Sequence, residues 1–137
     1  MASDFTTTFL ATLRGDATLQ GLLSSYSGIA AVFATAPPED AVFPFIVTAG
    51  QTSHEPFDTK TSEGHDLLRD IGCYAEDTGS PILVEDIAEQ VRSLFHRKVI
   101  TVAGFASVMC RASGPIVNDG DRSYGRIVTV RLVLSGG

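Results

Sequence analysis

Tryptophan is absent from this 137-residue chain, and cysteine and methionine occur only twice each. Cys73 and Cys110 lie far apart with no partner motif, which excludes a disulfide framework and suits reduced thiols. Each falls inside an expected strand, where a free cysteine behaves as a small buried hydrophobe. Basic residues are also scarce. Ten Lys plus Arg face 16 Asp plus Glu, a formal charge of -6, the wrong sign for a protein that grips nucleic acid by releasing counterions from phosphates. The longest uncharged stretch, Ala17 to Pro38, is broken by Gln20, Gly21, four hydroxyl or glycine positions at Ser24, Ser25, Ser27 and Gly28, and two prolines. It cannot supply the ~20 apolar residues of a membrane span. The start, Met1 to Phe5, lacks the positive and apolar regions of a secretory signal, so a soluble, non-secreted chain is expected.

Common chemical signatures are missing too. There is no Gly-x-Gly-x-x-Gly, no Walker-type phosphate loop, no Gly-x-Ser-x-Gly elbow and no Cys-x-x-Cys pair. His54, Glu55, Asp58, Glu63, His65 and Asp66 bunch in one segment, yet two histidines separated by ten intervening residues match no compact metal spacing. Asn118-Asp119-Gly120-Asp121 lacks the alternating oxygen ligands of a calcium loop and reads as a tight turn. Arg14-Gly15-Asp16 reads as a helix junction in which Gly stops one helix and Asp caps the next. No catalytic, cofactor or metal site is assigned, and no enzymatic activity is expected.

What is present is a well-patterned chain, 44% hydrophobic and 19% charged, of a size that suits one domain over residues 1–137. Phe5, Phe9, Leu10 and Leu13 recur at helical spacing, with Ser3 or Asp4 as cap and Gly15 as stop. Asp16 caps a second short helix through Leu19, Leu22 and Leu23, which the Ser24–Gly28 cluster ends. Ile29 to Phe33 is a short apolar run, followed by a rigid Pro37-Pro38 connection. The strongest helix opens at Ser80-Pro81. It places Leu83, Val84, Ile87, Ala88, Val91, Leu94 and Phe95 on one face, with acids early and Arg92, His96, Arg97 and Lys98 late, where they complement the dipole.

Alternation predicts strands at Phe45–Ala49 and Leu67–Tyr74, paired antiparallel, and at Ala106–Arg111 and Arg126–Leu134. In the last, Val128, Val130, Leu132 and Leu134 face one way, and Thr129 and Arg131 the other. Residues 51–64 are polar and read as a long connecting loop. The order of elements predicts an α+β layer: an antiparallel β-sheet with the long helix and the N-terminal helices packed on one face.

Pro44-Phe45-Ile46-Val47, Asp58-Thr59-Lys60-Thr61 and Gly64-His65-Asp66-Leu67-Leu68 together resemble the tail completion or tail terminator proteins of long-tailed bacteriophages and phage-like gene transfer particles. Ile87 to Leu94 looks like that family's long helix, Ala103-Gly104 like its post-helix turn, and Asp119-Gly120-Asp121 with Gly125-Arg126 like the turn before its last strand. The likeness spans roughly residues 7–134. It implies a structural virion protein, assembled in the bacterial cytoplasm, that closes into a ring, typically a homo-hexamer. Such a ring caps the tail tube and meets the head-completion or neck protein. Its partners would be other copies of itself, the tube protein and that neck protein, with no tight nucleic-acid binding, no membrane and no cofactor.

Partner contacts would then be expected in the 51–64 segment and the 113–125 turn region. The candidates are Phe57, Asp58 and Lys60, an aromatic anchor with charges in a mobile loop, together with Arg111 and Arg122. Three alternatives stay open. A neighbouring tube or head-closure subunit would share most of these features, a small enzyme would gather His54, His65 and Asp66 in a pocket, and a ligand-binding module would show one apolar cavity.

Overall fold

Local chemistry sets the helical layer. In the computed structural model, which describes residues 2–34, 37–48, 51–58, 63–76, 79–97, 101–102, 105–120 and 123–136, helix α1 spans Ala2–Arg14. It begins ahead of Ser3 and Asp4, which therefore lie inside its first turn instead of capping it. Gly15 stops it and donates its amide to the Ala11 carbonyl at 2.9 Å. Helix α2 (Ala17–Leu22) starts as expected, with the Asp16 carboxylate accepting from the Leu19 amide at 2.9 Å. Helix α3 runs Ile82–Phe95. Its cap position is Pro81, and Ser80 Oγ reaches only the Ile82 amide, at a long 3.4 Å.

Strands follow in chain order: β1 (Ser25–Tyr26), β2 (Ile29–Ala30), β3 (Val32–Phe33), β4 (Phe45–Val47), β5 (Gln51–Asp58) and β6 (Glu63–Glu76) precede α3. After it come β7 (Thr101–Val102), β8 (Phe105–Val117) and β9 (Ser123–Gly136). β1 and β2 form a separate hairpin whose turn residues, Ser27 and Gly28, both take positive φ. The main sheet has the order β3-β4-β6-β9-β8-β7, with β5 also pairing β6. All its pairs are antiparallel except β3 with β4, so the sheet is mixed at one edge.

One expectation is overturned here. Residues 51–64 do not form a loop: Gln51 to Asp58 pairs with Glu63 to Arg69 as a long hairpin. Polar composition signals solvent and not the absence of a ladder, because the ladder is made by backbone groups. Among the described residues β5 pairs only with β6, so it is an edge strand, the position in which Pro56 is tolerated.

The core lies between α1, α2, α3 and one sheet face. Phe9, Leu13, Leu19, Val84, Ile87, Val91 and Phe95 meet Ile46, Leu67, Ile71, Cys73, Val128, Val130 and Leu132, all buried. The tilted rings of Phe9 and Phe95 pack at 5.0 Å between centroids and join α1 to α3, and Gln90 donates to Asp16 at 3.1 Å to hold α2 against α3. Leu83, expected on the buried face, is instead exposed in the first helical turn. The opposite sheet face bears a smaller aromatic cluster. Phe45 packs there with Phe33, Phe43 and Tyr74 at centroid distances of 6.0, 4.9 and 5.7 Å.

Tyr74 lies across two glycines, and a Cβ on Gly72 would meet its ring at 2.7 Å. A Cβ on Gly125, its cross-strand partner, would collide with the Asn118 carbonyl. The outer edge of β8 is closed partway along: the Arg97 amide donates to the Cys110 carbonyl (2.8 Å) and the Ala112 amide to His96 Nδ1 (3.2 Å). His96 therefore acts as a hydrogen-bond acceptor beyond the helix end. Its ring thus helps close the strand edge, a role beyond the dipole complement expected of it.

Candidate assembly surfaces

Two arginines occupy the helix-facing side of the sheet among apolar neighbours. Arg69 on β6 is fully buried, with its guanidinium 5.1 Å from the centroid of the Phe9 ring. Its Nε donates to Thr48 Oγ1 at 3.0 Å, and its Nη2 to the Thr48 carbonyl at 3.2 Å and to Thr6 Oγ1 at 3.1 Å. Thr48 directly follows β4, where the β6 ladder passes from β4 to β5, so Arg69 satisfies a carbonyl beside that break. Burial lowers the Arg69 pKa from its ordinary value, and Nη1 is left without a partner. On β9, the buried Arg126 reaches Asp119 Oδ1 at 2.9 Å and Glu85 Oε1 at 3.3 Å. It thereby clips the start of α3 to the β8–β9 turn. The same Asp119 oxygen accepts the Gly125 amide at 3.0 Å, and the Gly120 amide donates to the Ser123 carbonyl at 3.0 Å, so this segment joins β8 to β9.

The opposite face is polar beyond its aromatic corner. Arg131 makes a two-pronged pair with Asp66 (3.1 and 2.7 Å), and Thr129 donates to Asp70 at 2.7 Å. The Arg131 hydrogen bond holds the Asp66 carboxyl below its usual range. Arg111, one of the expected contact residues, is exposed on β8 directly opposite Arg131. Like charges in facing positions repel, and among the described residues Arg111 has no ion-pair partner.

Phe57 and Asp58 lie elsewhere on the sheet. Phe57 and Asp58 pair with Gly64 and Glu63, in a strand and not in a mobile loop. Lys60 and Arg122 lie outside the described residues. Ser123, next to Arg122 in sequence, pairs with Glu76 at the other end of the 14-residue β6, about 40 Å from Glu63 at ~3.3 Å per residue. Of the five candidates the structure describes three, Phe57 and Asp58 on β5 and Arg111 on β8.

Nothing assembled here resembles a reaction centre. Among the described residues no group of three His, Cys, Asp or Glu is placed to hold a metal ion. A cleft of about 300 Å³ lined by Arg14, Gln20, Ser25, Gly28, Ile29 and Ala30 contains one charged group, and Arg14 spends its Nη2 on the Val32 carbonyl at 2.7 Å. Burial pushes the Cys73 thiol up to about 12 and the Cys110 thiol up to about 11, so neither is a nucleophile at neutral pH. No helix among the described residues is long and apolar enough to cross a membrane.

A different feature lies beyond the sequence expectations. Ile82, Leu83, Ile116 and Val117 are exposed at the end of the sheet where β9 begins, Ile82 and Leu83 by way of the Glu85–Arg126 pair that ties the start of α3 there, and Val42, ahead of β4, is exposed too. A signal existed in the adjacent apolar pairs Ile82-Leu83 and Ile116-Val117, each beside a helix start or a turn.

The architecture defines a class: an α+β fold with a long helix and two N-terminal helices on one face of a mostly antiparallel sheet. No family model matches the chain, and no curated relative does. Among solved structures, a chain of the "Virion of native gene transfer agent (GTA) particle" superposes on it with a TM-score of 0.81. The match covers 98% of this chain and 97% of that one, at 15% sequence identity, so it is the fold that the two share.

Proposed function

We propose that the chain is a structural virion protein that closes into a ring, caps the tail tube and forms part of the head–tail joining interface. The carrying observation is the end-to-end match, with neither chain left over, to a component of a gene transfer agent virion. The motif resemblance supports the tail terminator position, and the absence of a metal cluster or reactive thiol among the described residues accords with a role in assembly. A ring must close by head-to-tail contact between different surfaces of the same chain. Arg111 on the open sheet face and Phe57 and Asp58 on β5 are proposed for such contacts, together with Lys60 and Arg122.

Light scattering and negative-stain microscopy test this, with the chain alone at several salt concentrations and mixed with the tube protein of the same particle. Rings of uniform size that cap tube ends are expected. A strict monomer in every salt, alone and with tube protein, would sink the terminator reading. Rings that stack into tubes by themselves would favour the alternative of a tube subunit.

A further inference from the structure

The apolar residues at the β6–β9 end of the sheet form a surface with a definable partner. Val117 is the cross-strand neighbour of Arg126, so both share the helix-facing side, and Arg126 reaches Glu85 of α3. Ile82 lies one helical turn before Glu85, and Leu83 beside it. Ile116 faces the other way, next to Ile127. Exposures of 40–65% for Leu83, Ile82, Ile116 and Val117 are too large for a solvated helix start and strand end to require. The rim is acidic: Glu76, Glu85, Asp86 and Asp119 are exposed there, against the single buried Arg126 among the described residues.

We infer that this end docks a different protein, one that presents an apolar contact flanked by lysine or arginine. A second copy of the chain fits poorly. Pairing the patch with itself would set like charge against like, since the four carboxylates outnumber the one arginine on each side. Head-to-tail contact would need a complementary apolar patch elsewhere, and among the described residues the other large hydrophobic side chains so exposed are single ones, Val42 ahead of β4 and Ile29 on the β2 hairpin beside Arg14. This assignment rests on the virion reading, where the partner is a neighbouring particle protein above or below the ring.

The test uses Ile82→Lys, Ile82→Glu and Val117→Lys, each exposed and free to change without entering the core. Cells that produce the particle are complemented with each variant. Incorporation into purified particles is then measured beside solution mass and thermal unfolding. Unchanged ring mass and melting, with incorporation of the two Lys variants reduced at least tenfold and Ile82→Glu reduced less, is the expected result. Glu should be milder because a basic partner repels an added Lys. The reverse order would overturn the basic partner in favour of an acidic one such as a second copy. Loss of ring mass in the variants would likewise assign the patch to self-contact and overturn the inference. Equal incorporation of all variants would overturn the docking surface and leave the virion reading intact, whereas a wild-type chain absent from the particles would overturn both.

Discussion

Placing a carboxylate at Val91 gives a quantitative test of the α3–sheet packing. Val91 is fully buried among Ile87, Phe95 and the sheet residues of the core. Val91→Asp loses about 1.5 kcal/mol of apolar transfer at any pH. The larger effect depends on pH, because burial without a counter-charge raises the folded-state pKa by up to ~3–5 units above an unfolded value near 3.9. Between the two values the folded protein holds a proton that the unfolded chain has released. Stability therefore falls as pH rises, by about 1.4 kcal/mol per unit. From about pH 4 to pH 7 this amounts to about 4 kcal/mol, for a total near 5–6 against a domain stability of about 5–15. Val91→Asn supplies a control with no titration. Urea unfolding followed by circular dichroism, at about pH 4, 5.5 and 7 and one fixed protein concentration, should show the Asp–Asn gap widening with pH. A gap that stays flat, or a Val91→Asp protein as stable as wild type at pH 7, would refute the buried interface.

Both thiols should resist alkylation in the native protein at pH 8 and react once it is unfolded. Because their pKa values are raised to about 12 and about 11, stability should also decline above about pH 9, where only the unfolded thiols ionise. Gly21→Ala has open space in α2 and should raise stability by about 0.4–1 kcal/mol. Gly125→Ala meets the Asn118 carbonyl and should lower it by about 1–3, and equal melting temperatures for the two variants would contradict the turn geometry. Asp66→Asn should cost no more than about 1 kcal/mol, given the exposure of Arg131. The Asp66 pKa is lowered, so this contribution is present at neutral pH and disappears as pH falls through the folded value; a larger loss, or none on acidification, would contradict the pairing. With a charge of -6 per protomer, ring closure should strengthen as salt screens repulsion over ~8–10 Å, and sedimentation showing weaker rings in higher salt would contradict that sign.

Where sequence and structure agree, the cause is local. Asp16 caps α2 because a carboxylate three residues before a free amide reaches it, and β9 alternates because one face meets α3. Disagreement appears where pairing or burial is decided at long range. β5 is a strand because β6 offers it a ladder, which nothing in Gln51 to Asp58 announces. Arg69 falls on the dry face by its parity with Leu67 and Ile71, but only the Thr48 and Thr6 positions explain how a guanidinium survives there. Phe57 and Asp58 are expected in a mobile loop from their polar surroundings, and they lie in β5 instead. Arg111 remained accessible because its strand face is uncovered.

The closure of the β8 edge by His96 and Arg97 bears on how the chain behaves before it finds any partner. An open strand edge is an invitation to pair with any passing strand, and proteins that leave two such edges free tend to grow into fibres. On the β8 side, backbone groups at Cys110 and Ala112 are already taken by the end of α3, and Pro115 removes a further donor. On the other side Pro56 interrupts β5 midway. Strand addition is thus hindered along β8 and along β5, which lessens the tendency of the sheet to template disordered growth.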